Sequence, residues 1–495
     1  LTQNDKVRVE GFERVKLKVK GEDNLSSSLE NKQTQESELI NKINNLSQNR
    51  QVQDAIQALD KRFSPMIGGE EVNNQTEQKP ANSTKNLVNQ FIQASPKPTQ
   101  KGPMGILYDF NFGIRVYVPK PAAGEGWRVC LMDLDTEVVL LDQTCQDQGY
   151  ATTAKHHYMN GKIIVSKIHR DGKQEEVLVH EYNARGKEVL IAFPVGSLGD
   201  SLGWVPYAEK FRKKHDCKLT LALGKNLIDL FEKAYPEIRF VDASVYAQQK
   251  IENKFYAGYY IGLFFEDEQN NWQPRDFRLV GLHRTAGYIL GVDPEEVPPR
   301  LVASEDTRPI PEPYVVIATQ ASTQCKYWNN PFGWHYVIDF LKSLGYRVIC
   351  IDRDRVFGKD LVWNHIPNGA EDQTGPRPLT ERVRWLKHAE FFVGLSSGLA
   401  WLAWGAGIPV VVISGFTNPL TEFNTPYRVF NTHVCNGCWN DIRYLFDHNN
   451  FLYCPKHSNT SRQFECTKAI SHQHVIKTIL SIPGCRQKPV NEKGK

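Results

Sequence analysis

Four cysteines near the C-terminal end, Cys435, Cys438, Cys454 and Cys466, follow the spacing C-x2-C-x15-C-x11-C. Two residues between the first pair let both thiolates grip one ion from a tight knuckle, and the later pair closes a tetrahedron once the intervening chain folds back. The pattern predicts a metal finger over residues 433–467. Four protein ligands leave no coordination position for a substrate, so the finger reads as a structural staple and the chemistry must lie elsewhere. His457, in Cys454-Pro455-Lys456-His457, is a rival for the fourth ligand. Spacing does not choose between zinc and iron, because both accept tetrahedral thiolates.

Three loops, each following an apolar run that reads as a buried strand, are candidates for that chemistry. Asp200 lies in Gly196 to Gly203, at the start of a helix. It is either an N-terminal cap or a general base, which needs an acceptor hydroxyl within hydrogen-bond reach. Lys326 lies in TQASTQCKYW with Thr319 and Gln320. A lysine here can neutralise charge building on a departing diphosphate, although a solvated surface lysine has the same local sequence. Ser396, Ser397 and Gly398 open an apolar helix. Small residues let the backbone approach an anion and the helix N-terminus supplies free N–H donors, with plain capping as the other reading. Asp352 is either half of a metal-binding D-x-D with Asp354 or the acceptor of a ribose hydroxyl at a strand end.

The elements that must position these loops follow from the pattern of the 495-residue chain. Residues 1–102 are rich in Asn, Gln, Ser and Lys and cannot bury enough apolar surface to offset ordering entropy, which predicts a disordered tail ending in the linker SPKPTQKGP. Residues 103–186 change to short β-type runs with Asn160-Gly161 and Asp171-Gly172 as hairpin turns, predicting a small all-β accessory domain. Asp133, Asp135, His156 and His157 read there as strand or turn surface residues. From 187 to 292 and again from 314 to 485, strands alternate with helices, predicting two Rossmann-like halves of an α/β fold. FRLVGLHRTAGYILG reads as one helix closing the first half. The Pro-rich stretch 293–313 joins the halves and implies a cleft between them, and 486–495 is a short tail.

Composition limits the function. A net charge of +4 over this length is too small to suggest nucleic acid, and the finger carries no basic stripe. No run of about 18 apolar residues could span a bilayer and the N-terminus does not resemble a signal peptide, so the expected location is the cytoplasm. The remaining cysteines are scattered singly, as in a reduced protein.

PVGSLGD running into a helix, the lysine-bearing loop after the first strand of the second half, and VGLSSGLAWLAWGAGIPVVVISG together resemble ADP-heptose glycosyltransferases of the GT-B fold. CNGCW, YCP and FEC narrow the resemblance to the bacterial autotransporter heptosyltransferases, over about residues 103 to 485. The resemblance implies an inverting transfer of heptose from ADP-heptose to serine hydroxyls of an autotransporter adhesin passenger, without a catalytic divalent metal. It implies Asp200 as general base, Lys326 at the donor diphosphate, Thr319 and Gln320 in the adenosine or phosphate loop, and Ser396, Ser397 and Gly398 in the phosphate-binding turn. It also implies one structural iron(III) per chain on the four cysteines and a homo-oligomer as large as a dodecamer. Lipopolysaccharide heptosyltransferases place an Asp in that turn where this chain has Ser396. The alternatives are another GT-B enzyme, such as a lipopolysaccharide heptosyltransferase or an adhesin hexosyltransferase, and a non-catalytic protein that binds a partner through the finger.

Overall fold

Short antiparallel strands open the part of the chain that the computed structural model describes, residues 97–193, 196–244 and 254–486. Of the tails expected over residues 1–102 and 486–495, residues 1–96 and 487–495 lie outside it. Strand β1 (Gln100–Lys101) pairs antiparallel with β2 (Leu107–Asn111), so the end of the expected linker is already strand. The segment continues through β3 (Arg115–Val118), β4 (Gly126–Asp133), β5 (Val138–Cys145), β6 (Gly149–Thr152), β7 (Gly161–Ile168) and β8 (Gln174–Glu181). Four of these form an antiparallel sheet of order β5-β4-β7-β8. The Asp171-Gly172 turn closes its last hairpin, with Gly172 at φ 82° and the His169 N–H donating to the Lys173 carbonyl. Asn160-Gly161 does not make a hairpin. Gly161 instead begins β7, where an added Cβ would lie 2.6 Å from Ile114 Cδ1, so the glycine serves close packing between sheets.

The first α/β half contains β9 (Glu188–Ala192), α1 (Leu198–His215), β10 (Lys218–Leu223), α2 (Lys225–Phe231), β11 (Arg239–Asp242) and β12 (Ala257–Tyr260). The short helices α3 (Phe277–Val280) and α4 (Arg284–Leu290) follow. The run VLIA in β9 is buried on both faces, as in a central strand of a covered parallel sheet, with β10 and β12 paired along its two edges. The sheet order is β11-β10-β9-β12-β2-β3-β6. The expected all-β domain is therefore divided: β2 joins β12 in parallel and carries β3 and β6 into this sheet, while only β4, β5, β7 and β8 stand apart. The helix expected over 277–291 is broken at Gly281 (φ 99°), which lets the Leu282 N–H reach the Thr421 carbonyl in the second half.

The second half contains β13 (Tyr314–Ala318), α5 (Gly333–Ser343), β14 (Arg347–Cys350), the hairpin β15 (Val356–Lys359) and β16 (Val362–His365), β17 (Glu371–Asp372) and α6 (Leu379–Lys387). Then come β18 (Phe392–Leu395), α7 (Gly398–Gly405), β19 (Val410–Ile413), β20 (Arg428–Val429), α8 (Glu465–Lys468) and α9 (His472–Leu480). Its sheet is all parallel, in the order β17-β14-β13-β18-β19-β20. Numbered within the half this is 3-2-1-4-5-6, with the order reversing between β13 and β18.

The halves meet where α1 packs on α7. Glycine is required at the contact, since a Cβ on Gly199 would lie 2.7 Å from Trp401 Cδ1. A second tie runs through the Pro-rich connection. Glu296 accepts from His283 Nε2 at 2.8 Å on one side and from the Asn424 N–H on the other. Hydrogen bonds from His283 and Asn424 outweigh the opposing effect of burial and hold this carboxyl below its ordinary pKa. Two Rossmann-like halves facing across a cleft form the GT-B arrangement. Among the described residues no helix is long and apolar enough to cross a membrane.

Candidate active site

The cleft holds a cavity of about 1120 Å³ lined by both halves. In each sheet the loops at the reversal of strand order reach it: those after β9 and β12 from one side, those after β13 and β18 from the other. An open α/β sheet gathers ligands at such a point because two neighbouring loops diverge there and leave a crevice.

Asp200 and Lys326 both line this cavity, as do Gln320, Asp352, Ser396, Ser397 and Gly398. Asp200 occupies the third position of α1, and one carboxylate oxygen accepts the Ser197 N–H at 2.5 Å. The capping and basic readings are thus compatible: one oxygen holds the helix start, and the residue still faces the cleft. Burial raises the Asp200 pKa above the ordinary carboxylate value, against the lowering effects of the Ser197 bonds and the Lys326 charge. A raised pKa makes the carboxylate a stronger proton acceptor.

Lys326 closes a single turn of 3-10 helix, Gln324–Lys326. Its ammonium lies over the rings of Trp439 and Phe446. Ser397 caps α7, and its hydroxyl is buried without a hydrogen-bond partner, next to the unsatisfied N–H groups of the helix start. Gly398 is packed against the other helix start, with an added Cβ falling 2.8 Å from Leu198 Cβ. Two helix N-termini therefore converge beside Asp200. Ser396 turns inward, donating to Glu422 and accepting from Thr417 Oγ1 at 2.9 Å, while Glu422 pairs with Arg428 at 2.7 Å.

Asp352 is held by the loop after β13. Its Oδ2 accepts from the Thr319 N–H and hydroxyl, each at 2.8 Å, and its Oδ1 accepts from the Gln320 N–H at 3.2 Å. This carboxylate ties the end of β14 to the loop after β13, while the residue also lines the cavity. Thr319 is held behind the cavity wall. Asp354 lies 4.0 Å from Arg353 Nε and forms no metal-type cluster with Asp352.

The four finger cysteines line one small cavity of about 10 Å³, and Cys325, the neighbour of Lys326, joins them there. All are free thiols. The knuckle turns at Gly437 (φ 66°), whose N–H donates to the Gly415 carbonyl. Burial, then the nearby Cys435 and Cys454, push the Cys438 thiol up to about 12, and burial with its sulfur neighbours raises Cys466 further. Of the four finger cysteines only Cys438 is buried, and among the described residues the ligand atoms that come within metal-binding range of one another are not the four sulfurs. Cys435, His457 and Glu465 bring their potential ligand atoms within 4.8 Å of one another. The Glu465 oxygens, however, are engaged by Arg462 and the Cys435 N–H.

The finger does not stay outside the active site as expected. Its Trp439, Leu445, Phe446 and His448 line the cleft. The loop after β12 was equally unforeseen. Phe264, Phe265 and Trp272 line the cavity, and Asp267 orders the loop by accepting the N–H groups of Asn271, Trp272 and Gln273. The signal available in the sequence was the position of YYIGLFFED at a strand end. His156, expected on the surface, packs against Trp272 with tilted rings 4.1 Å apart and bonds the Phe112 carbonyl. His157 is also largely covered, and burial lowers the pKa of both.

Two family models match the chain: "Glycosyltransferase TibC, N-terminal domain" over residues 102–170 and "Glycosyltransferase family 9 (heptosyltransferase)" over residues 293–444. The chain is 50% identical over 393 residues to autotransporter heptosyltransferase BAHTCr of Citrobacter rodentium, covering 79% of this chain and 92% of that one. It is 51% identical over 386 residues to autotransporter heptosyltransferase TibC of Escherichia coli O78:H11, covering 78% of this chain and 91% of that one. The crystal structure of dodecameric iron-containing TibC in complex with ADP-D-beta-D-heptose superposes with a TM-score of 0.72 at 50% identity, over 78% of this chain and 97% of that one. BimC of Burkholderia thailandensis, described as an inactive autotransporter heptosyltransferase, is 41% identical over 405 residues, covering 82% of this chain and 92% of that one. Likeness to these relatives does not by itself carry catalysis, so the residues in the cleft must.

Proposed function

The chain belongs to the autotransporter heptosyltransferase family, and from that premise we propose that it transfers heptose from ADP-heptose to serine hydroxyls of an autotransporter adhesin passenger in the bacterial cytoplasm, before export. The observation that carries this reading is the meeting of Asp200, Lys326 and the partnerless Ser397 hydroxyl in one cavity between the halves.

The reaction is a single displacement. Asp200 takes the serine proton as the serine oxygen bonds to the anomeric carbon, and the bond from that carbon to the diphosphate oxygen breaks. The configuration inverts. Lys326, with the N–H groups at the start of α7, offsets the charge that collects on the leaving ADP. Gln320 and the loop it belongs to face the nucleotide, positioned from behind by Asp352 and Thr319. Binding both substrates across one cleft converts the bimolecular step into an oriented one.

Cys435, Cys438, Cys454 and Cys466 would hold one iron(III) in a structural role, with zinc as the other ion that thiolates accept. The relative with a superposable structure is dodecameric and contains iron, and the same assembly is proposed for this chain. The test is incubation of the purified protein with a passenger domain and ADP-heptose, or a UDP-hexose in a parallel arm, followed by intact-mass measurement. Heptose added only with ADP-heptose is the expected result. ADP binding without any mass increase on serine-containing passengers would sink the transferase reading.

A further inference from the structure

We propose that the finger's Trp439, with Phe446 beside it, seats the Lys326 side chain against its π face, which makes both rings positioning residues for the lysine at the donor diphosphate. The proposal rests on the role given to Lys326 above.

The Lys326 Nζ lies 5.7 Å from the Trp439 ring centroid and 5.8 Å from that of Phe446. The two rings meet edge to face at 5.3 Å. Among the described residues no carboxylate forms an ion pair with Lys326, so the rings take the place of a counter-ion. The difference matters for catalysis. A carboxylate partner would neutralise the charge that the leaving group needs, and an ion pair with Asp200 would depress the base. A ring attracts the cation through its quadrupole and leaves the charge in place.

The seat is rigid because three parts of the fold hold it. Phe265 and Phe277 from the first half pack on Trp439 at 5.7 and 5.9 Å. The Trp439 N–H donates to the Phe416 carbonyl at 3.1 Å, and the Gln324 N–H, two residues before the lysine, donates to the Phe451 carbonyl of the finger at 2.9 Å. Cys325 is buried among the finger thiols. The finger therefore grips the lysine loop at its backbone and the lysine at its tip. The Trp439 indole N–H is buried without a partner. The fold uses this residue for its face and not for its donor, so phenylalanine should replace it.

The test is a mutant cycle on the full-length protein, reading ADP affinity by titration calorimetry and kcat and KM for transfer, with metal content and melting temperature as folding checks. Trp439→Leu should weaken ADP binding and lower kcat by roughly tenfold, the scale of a partly buried cation–π contact. Trp439→Phe should recover most of that loss. In a Lys326→Met background, Trp439→Leu should add less than about twofold, since the cation it serves is gone. Full additivity of the two substitutions, or a Trp439→Phe protein as impaired as Trp439→Leu, overturns the proposal. If Lys326→Met alone changes neither ADP affinity nor kcat, the diphosphate role fails first and takes this inference with it. Should Trp439→Leu not fold, Phe446→Leu, with Phe446→Tyr as its conservative rescue, reads the same cycle.

Discussion

The Ser197 N–H donates to Asp200 Oδ2 at 2.5 Å, so the carboxylate expected to act as base also closes the first turn of α1. The two duties separate by substitution. Asp200→Asn keeps an oxygen for the cap but cannot accept the serine proton. Transfer should fall by about 10²–10⁴, the range of a general base, with ADP affinity unchanged. Asp200→Ala should lose the cap as well, for a further stability cost of about 1 kcal/mol. An active Asp200→Asn enzyme in the mass assay would remove Asp200 from the reaction.

Burial holds the Asp200 pKa above its ordinary value, and this fixes the sign of two pH effects. The base works only when deprotonated, so kcat/KM should rise with pH through the folded-state pKa and plateau above it. For stability, a raised folded-state pKa gives a contribution that is fully present below the unfolded pKa and lost as pH rises through the folded one. Asp200→Asn should therefore melt no lower than the parent near neutral pH, with its relative advantage disappearing in acid. An acid limb of the rate profile at or below the ordinary carboxylate value, about 3.9, would contradict the burial argument.

The contact between Gly199 and Trp401 leaves no room for a methyl group, since an added Cβ falls 2.7 Å from the indole Cδ1. Gly199→Ala should lower stability by about 1–3 kcal/mol, the usual cost of overpacking, and weaken ADP binding by displacing the start of α1. Trp401→Leu in the same chain should return part of the melting temperature, a coupling expected only of groups in contact. Independent effects of the two substitutions would argue against the packing described.

Cys435→Ser and Cys438→Ser should each release the metal and lower both the melting temperature and ADP affinity, because the finger carries Trp439 and Phe446 into the cleft. Cys145→Ser, in the β strands far from the finger in sequence, should leave metal content as it was. Elemental analysis gives the metal content, and an unchanged value in the Cys438→Ser protein would end the thiolate reading.

The strands of the two halves were legible because apolar runs such as VLIA and YVVIA are what a parallel sheet buries on both faces. That the loops carrying Asp200, Lys326 and Ser396–Gly398 reach the cleft was legible for a related reason: loops at strand ends are where such sheets gather ligands. Pairing partners were not legible. Nothing in the alternation of β2 says that it will join β12, so three strands read as an accessory domain entered the first sheet instead. The tie from Asp352 to the loop after β13 was not legible, because a strand-end carboxylate has the same neighbours in sequence whether it faces a ligand or the adjoining loop. The reach of the finger into the cleft depends on contacts between Trp439 and residues more than a hundred positions away, which no local pattern encodes.

The interlocked glycines and Trp401 at the α1–α7 contact also constrain how the halves move. Ridges that fit this closely cannot slide past one another without unpacking the indole, but they can tilt. Any opening of the cleft must then be a hinge rotation about this edge, with little shear. Its amplitude is smallest at Asp200, the residue that follows the pivot glycine Gly199 in α1.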